Sequence, residues 1–365
     1  MNTAPGTDKK FFTRQLLRWN EDNRRSMPWK GERDPYKIWL SEIILQQTRV
    51  AQGLPYYERF LQHYPTVEQL ATAPEEQVFR LWQGLGYYNR CKNMLAAARQ
   101  VAGEHGGRFP ADLAGLRSLK GVGEYTAAAI AAFAYDLPHA VVDGNVYRVL
   151  SRFFGIALPM DSTDGKLLFR ELAGELLDQS HPAVYNQAIM DFGATVCTPR
   201  SPQCPQCPLA PRCRALKHDS IALLPVKSRK TQIKSRFFHY LVIRHRNQIY
   251  IRKRSARDIW QHLHEFVLLE EDATLGIEAL REKAGFTRLL KNRGWTCEHS
   301  SEVYRHQLTH QTIFARFFVL RVPRPLSAGA DYFPVSLDQL DRHALPRLLD
   351  QYVQDVLQGL MNGNR

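Results

Sequence analysis

One carboxylate, Glu42, stands in the otherwise apolar run Ser41-Glu42-Ile43-Ile44-Leu45-Gln46-Gln47-Thr48. Helical spacing puts it on one face with Gln46, beside Ile38 and Leu45. Apolar surroundings disfavour the charged form, so such a group carries a proton near neutral pH and acts as a general acid. A partly buried glutamate bonded to a neighbour would present the same pattern. Further on, Val142-Asp143-Gly144-Asn145-Val146 places Asp143 at the start of a helix. Aspartate is a favoured N-cap, worth about 1 kcal/mol. There the N–H donors and the helix dipole favour its anion. A protonated glutamate facing an ionised aspartate is the division of labour that cleavage of a glycosidic bond requires.

Four of the six cysteines, Cys197, Cys204, Cys207 and Cys213, are separated by six, two and five residues in one Pro-containing loop. That spacing suits a single compact metal centre better than disulfides between distant strands. Structural zinc sites usually show two Cys-x-x-Cys knuckles, and here there is one, so a four-thiolate iron–sulfur site is the expectation. No basic-then-apolar leader spans Met1 to Arg18, which points to a reducing, cytoplasmic compartment. Cys91 and Cys297 lack a partner motif and read as inert thiols.

Leu119-Lys120-Gly121-Val122-Gly123 is a two-glycine turn opening a helix from Glu124 to Phe133. It presents backbone N–H groups to a phosphate without reading a base, although a tight turn would look alike. Lys+Arg of 49 against Asp+Glu of 36 gives a charge of +13, which favours a polyanionic partner. Arg200, Arg212 and Arg214 in the cysteine loop are candidate backbone contacts. No apolar run approaches the roughly 18 residues of a membrane span.

These residues need scaffolds of two kinds. From about Phe11 to Ala215 apolar residues recur three and four apart, with turn signals such as Asp34-Pro35 and Gly106-Gly107, so an all-α domain is expected over 8–225. Lys227, Arg229, Lys230 and Lys234 follow Pro225, and 226–235 reads as a linker. Beyond it the period changes. Phe237–Arg244 and Gln248–Arg252 look like a hairpin, Ile277–Ala284 like a helix, Ile313–Val322 like a strand and Arg347–Leu360 like a closing helix. An α+β domain is therefore expected over 236–362.

Together, the two-glycine turn, the capping Asp143 and the cysteine loop resemble the helix-hairpin-helix DNA glycosylases that carry an iron–sulfur cluster. Met27-Pro28-Trp29, Asp34-Pro35-Tyr36, Ser41–Thr48, Trp82–Tyr88, Leu119–Thr126 and Asp143–Arg148 are closest to the adenine DNA glycosylases of MutY type. That resemblance implies a helix-hairpin-helix glycosylase domain with one [4Fe-4S] cluster in the loop 197–213, followed by a Nudix-like domain. It implies that Glu42 protonates an adenine ring nitrogen and Asp143 stabilises the cationic sugar, with Tyr125 and Asn145 in the same site. Gln46 would enter the base stack, and Trp29 and Gln187 would border the base pocket. Gln47, Thr48, Lys120, Gly121, Val122 and Gly123 would contact DNA. Tyr87 belongs to the same set, unless it packs inside the fold. Tyr125 stands where strand-cutting relatives carry a Schiff-base lysine, so base removal without efficient strand cleavage is expected. Lys120 is near enough for slight opportunistic lyase activity.

In the second domain the metal-binding helix of Nudix hydrolases is absent, and Tyr304–His310 would sense 8-oxoguanine opposite the adenine, through Thr309 and His310. Thr309 stands where the family commonly has Ser, and His262 and Val267 where it more often has Gly and Pro. The implied partner is double-stranded DNA with adenine opposite 8-oxoguanine, bound by a monomer.

Overall fold

The computed structural model describes residues 6–228, 233–290, 293–308, 310–326, 331–357 and 359. They fall into two compact units: one gathers residues up to Thr72 with Asn93–Lys230, the other Ala73–Lys92 with the chain from Thr231 onward. Among the described residues no helix is long and apolar enough to cross a membrane.

The first stretch of chain forms α1 (Gly6–Asp22), α2 (Pro35–Leu45), α3 (Val50–His63), α4 (Val67–Thr72), α5 (Glu75–Trp82), α6 (Tyr88–Glu104) and α7 (Leu113–Ser118). It continues as α8 (Glu124–Tyr135), α9 (Gly144–Phe154), α10 (Thr163–Leu176), α11 (Pro182–Thr195) and the short α12 (Arg214–Lys217). The stretch is all-α, as expected, but residues 73–92, which hold α5 and the start of α6, group with the sheet unit and not with the other helices. Its larger core joins Phe12 and Leu16 of α1 to Val149, Leu150 and Phe153 of α9, Phe169 of α10 and Phe192 of α11. α2 packs on α8, which is buried all round from Thr126 to Ala132; small side chains let the two backbones approach closely.

Local signals set the ends that matter. α2 starts at Pro35, with Asp34 accepting from the Tyr36 N–H, as expected of a proline in the first turn. It stops at Gln46, and Gln47 takes a left-handed φ of +53°. α9 is capped by Asp143 and closed by Gly155 at φ +66°, the residue that tolerates this conformation.

In the second unit β1 (Lys234–His245), β2 (Gln248–Lys253), β3 (His264–Glu271), β4 (Thr296–Ser300), β5 (Tyr304–Gln307), β6 (Gln311–Arg321) and β7 (Phe333–Ser336) form one sheet. Its order is β4-β6-β1-β3-β2-β7, with β5 also paired to β6. β1 and β6 run parallel from Lys234↔Gln311 to Arg244↔Arg321. The expected hairpin exists, but only Arg244↔Ile249 and His245↔Gln248 pair across it. β1 is buried without alternation from Phe238 to Ile243 because both faces are covered, as in central strands with two covered faces. Leu241 and Ile243 face Leu280 and Phe286, whereas Tyr240 and Val242 face Leu348, Leu349 and Tyr352.

The single helix expected over Ile277–Ala284 is two, α13 (Ile277–Arg281) and α14 (Ala284–Leu290), interrupted at Glu282-Lys283. Each has its own inward anchor, Leu280 in one and Phe286 in the other, so tertiary packing overrides a continuous helical period. The closing helix is α15 (Arg347–Tyr352), continued to Leu357 by a wider π-type turn.

Candidate active site

α2, α8, α9 and α11 of the first unit surround a cavity of about 560 Å³. Glu42, Tyr125, Asp143, Asn145, Trp29 and Gln187 all line it, as does Thr48. Residues far apart in the chain thus meet around one space large enough for a nucleobase.

Glu42 is 9% exposed. Burial is the largest influence on it and drives its pKa up to about 7; Asp143 pushes the same way, and a hydrogen bond with Tyr125 opposes them. Tyr125 donates that bond, since burial and the two carboxylates hold its phenol well above the usual range. Glu42 is therefore poised to hold or release a proton near neutral pH.

Asp143 accepts from the Val146 N–H at 2.8 Å through Oδ1 and from Asn145 Nδ2 at 2.7 Å through Oδ2. Asp143 is thus the N-cap of α9, as expected; burial outweighs these donors, so its pKa lies above the ordinary aspartate value. Low dielectric here works against the anion more strongly than the donors of Val146 and Asn145 and the charge of Arg148 work for it.

Two features of the site escape sequence reasoning. Arg148, three residues after Asn145 on α9, donates to Asn145 Oδ1 at 2.7 Å, to the Gly193 carbonyl at 2.6 Å and to the Cys197 carbonyl at 2.7 Å. Its i,i+3 spacing from Asn145 was the only available signal. In the cavity wall, Lys30 reaches the buried Asp191 at 2.5 Å and Arg25 lies 3.5 Å from the same carboxylate. No motif announces that trio.

Several expected DNA contacts lie off the cavity. Gln46 Nε2 donates to Thr126 Oγ1 at 3.1 Å, so the side chain is held against α8. Gly121 has φ +75°, and a Cβ there would come within 2.6 Å of the Asn93 side chain, whereas a Cβ on Gly123 would meet open space. The first glycine is demanded by the turn and the second leaves room for close approach at the start of α8. Lys120 N–H donates to Gln100 Oε1, and its side chain is exposed. Tyr87, 48% exposed, follows Gly84 and Gly86 on a turn where all three have positive φ. Thr309 lies outside the described residues; the His310 carbonyl accepts from the Lys234 N–H.

The four cysteines line one void of about 30 Å³. Burial is the first cause that raises the pKa of Cys204, Cys207 and Cys213, and neighbouring sulfurs add to it in each. Thiols so placed disfavour one another's anions, a conflict that a cationic centre reverses. Arg152 Nη1 stands 3.5 Å from Cys197 Sγ. Among the described residues no group of three His, Cys, Asp or Glu side chains is placed to hold a single metal ion; the four thiols line one void, a thiolate set whose chemistry suits an iron–sulfur centre. Of the loop arginines, Arg212 and Arg214 pair with Asp8 of α1, while Arg200 is exposed.

Comparison with known proteins adds independent findings. Residues 40–167 match the HhH-GPD superfamily base excision DNA repair proteins, and residues 239–355 match the NUDIX domain. An adenine DNA glycosylase of Buchnera aphidicola (subsp. Schizaphis graminum) is 35% identical over 259 residues, covering 70% of this chain and 74% of that protein. A second, from the Baizongia pistaciae subspecies, is 30% identical over 308 residues, covering 83% and 84%. The adenine DNA glycosylase of Rattus norvegicus is 43% identical over 217 residues, which are 57% of this chain but only 42% of the rat protein. Among solved structures, a thermostable thymine-DNA glycosylase superposes with a TM-score of 0.55 at 30% identity, over 58% of this chain and 98% of that one. A non-covalent endonuclease III–DNA complex gives 0.53 at 22% identity, over 60% and 99%, a likeness of fold.

Proposed function

The chain belongs to the adenine DNA glycosylases, and from that premise we propose that it excises adenine paired with 8-oxoguanine, and with guanine, from duplex DNA in base excision repair. It acts as a monomer, with residues 8–225 as the glycosylase domain and 236–362 as the lesion-recognition domain. The observation that carries this reading is the pairing of Glu42 with Tyr125 beside Asp143, an acid and a carboxylate on the wall of one base-sized cavity.

The chemistry follows from these side chains. An adenine turned out of the duplex, at a cost of a few kcal/mol in stacking and pairing, enters between Trp29 and Gln187. Glu42 transfers its proton to a purine ring nitrogen, so the electron pair of the breaking C1′–N9 bond leaves with a neutral base. Asp143, held by Asn145 and the start of α9, stabilises the oxocarbenium-like sugar, and a water oxygen bonds to C1′ as its proton passes to the ionised Glu42 carboxylate, which restores the acid. Tyr125 supplies no amine, so no Schiff base forms there.

Gln46, Gln47, Thr48, Tyr87 and the Lys120–Gly123 turn are the DNA-contacting set, and Thr309 and His310 read the opposing base. Cys197, Cys204, Cys207 and Cys213 would hold one [4Fe-4S] cluster, which when bound ties the loop 197–213 together. The test is incubation of the purified protein with duplexes bearing adenine opposite 8-oxoguanine, scored for free adenine, with alkali applied afterwards to cut abasic sites. Free adenine with strand breaks only after alkali is expected. Binding without release, or release of thymine from a T·G duplex but no adenine, would defeat the proposal.

A further inference from the structure

Within the second unit, the turn bearing Tyr87 and the strand bearing His306 are joined through one loop. Tyr88, next to Tyr87, stacks on Phe79 with ring centroids 6.2 Å apart, and Phe79 meets the ring of His262 edge-on at 6.2 Å. His262 Nε2 lies 3.1 Å from Lys92 Nζ of α6, so the imidazole accepts and the ammonium donates. Two residues earlier, the Trp260 ring contacts His306 of β5 at 6.0 Å and Phe238 of β1 at 6.0 Å.

The loop between these two contacts is held on both sides. The His262 N–H donates to the Arg254 carbonyl at 2.8 Å, the Arg254 N–H donates to the Leu263 carbonyl at 2.8 Å, and Arg254 Nε donates to the Ile259 carbonyl at 3.0 Å. Trp260 and His262 nevertheless have φ of +60° and +73°, a region costly for bulky side chains and kept only where surroundings over-determine it. Glycine at 262 would relieve that strain. It would also remove the ring against Phe79 and the acceptor for Lys92.

We infer that His262 is a positioning residue that couples the Tyr87 turn to β5, so that the base opposite the adenine is read in register with the turn that grips the duplex. This rests on the proposed role of 304–310 in recognising 8-oxoguanine. The bond from Lys92 requires a neutral imidazole. Lys92 of α6 and Lys253 of β2 oppose a positive charge on that ring and Glu75 of α5 favours it, with burial the largest influence against it. Acid therefore breaks the link by turning acceptor into repelling cation.

Single-turnover adenine release by the full chain, from duplexes with 8-oxoguanine or guanine opposite adenine, tests the coupling. His262→Gly and Lys92→Met should each lower the ratio of the two rates about tenfold while leaving release opposite guanine unchanged. His262→Asn, which tolerates the left-handed backbone and retains an acceptor, should keep the wild-type ratio. It should also lack the decline in ratio that the wild type shows as pH falls below the usual histidine range. A wild-type ratio in His262→Gly overturns the inference. Amide exchange without DNA is the second arm: His262→Gly should speed exchange across both 83–88 and 304–308 but not within 234–245, and acceleration of only one segment also overturns it. If the wild type releases adenine equally from both duplexes, the proposed lesion preference fails, while the exchange measurement still judges the link.

Discussion

Arg148 donates to the side-chain oxygen of Asn145 at 2.7 Å. Asn145 turns its amide towards Asp143 Oδ2, and the same guanidinium also holds the Cys197 carbonyl. The Asp143 carboxylate is thus oriented through an amide whose own orientation depends on an arginine anchored to the cysteine loop. Arg148→Met should lower single-turnover adenine release by about 10- to 100-fold, the range seen when an orienting neighbour is lost. Wild-type release would show that Asn145 orients itself.

Glu42→Gln should reduce adenine release by about 10²- to 10⁴-fold, the usual contribution of a general acid, while leaving duplex affinity close to normal. Rates by single turnover and affinity by fluorescence anisotropy separate the two. Undiminished release would remove Glu42 from the chemistry.

The raised pKa of Glu42 has a kinetic and a stability consequence. The acid must be protonated to act, so base release should decline as pH rises through about 7. In the unfolded chain the group titrates near its ordinary value, so the native state binds the extra proton between about 4.5 and 7. Its stabilising effect is complete below that window and lost as pH climbs through it. Glu42→Gln should then be more stable than the wild type at pH 8, by about 1–3 kcal/mol, and of similar stability at pH 4.5. Urea unfolding at the two pH values gives the answer.

Gly121 and Gly123 should behave differently on substitution. Gly121→Ala places a Cβ at positive φ and within 2.6 Å of Asn93, so a loss of about 1–3 kcal/mol of stability is expected. Gly123→Ala meets open space and should fold normally, yet weaken duplex binding if a phosphate backbone approaches there. Thermal melts and a salt titration of affinity measure both, and unchanged binding by Gly123→Ala would remove the turn from the interface.

Borohydride should trap no stoichiometric enzyme–DNA adduct with the wild type, because Tyr125 has no amine to form one. Efficient trapping would contradict base removal by simple hydrolysis.

Much was legible because it is local. Asp143 as a cap, Gly121 as a left-handed turn residue, Pro35 as a helix start and the change of period near residue 236 each follow from a few neighbouring residues. The break after Arg281 in the helix expected over Ile277–Ala284 was not, since Leu280 of α13 and Phe286 of α14 are both drawn into one core by strands distant in the chain. The strained His262 was equally hidden, because its conformation is set by Arg254 and Leu263 across the loop.

By itself the sequence determined the types and order of the elements, the four thiols in one loop and the identity of the two carboxylates, since caps, turns and periodicity are properties of short segments. Only the tertiary structure decided that the Glu42 pKa rises to about 7, that burial lifts Asp143 above the ordinary aspartate value, that Arg148 links Asn145 to Cys197, and that residues 73–92 group with the sheet. Desolvation and hydrogen-bond geometry are imposed by groups brought in from distant parts of the chain, and no local pattern encodes which of them will arrive.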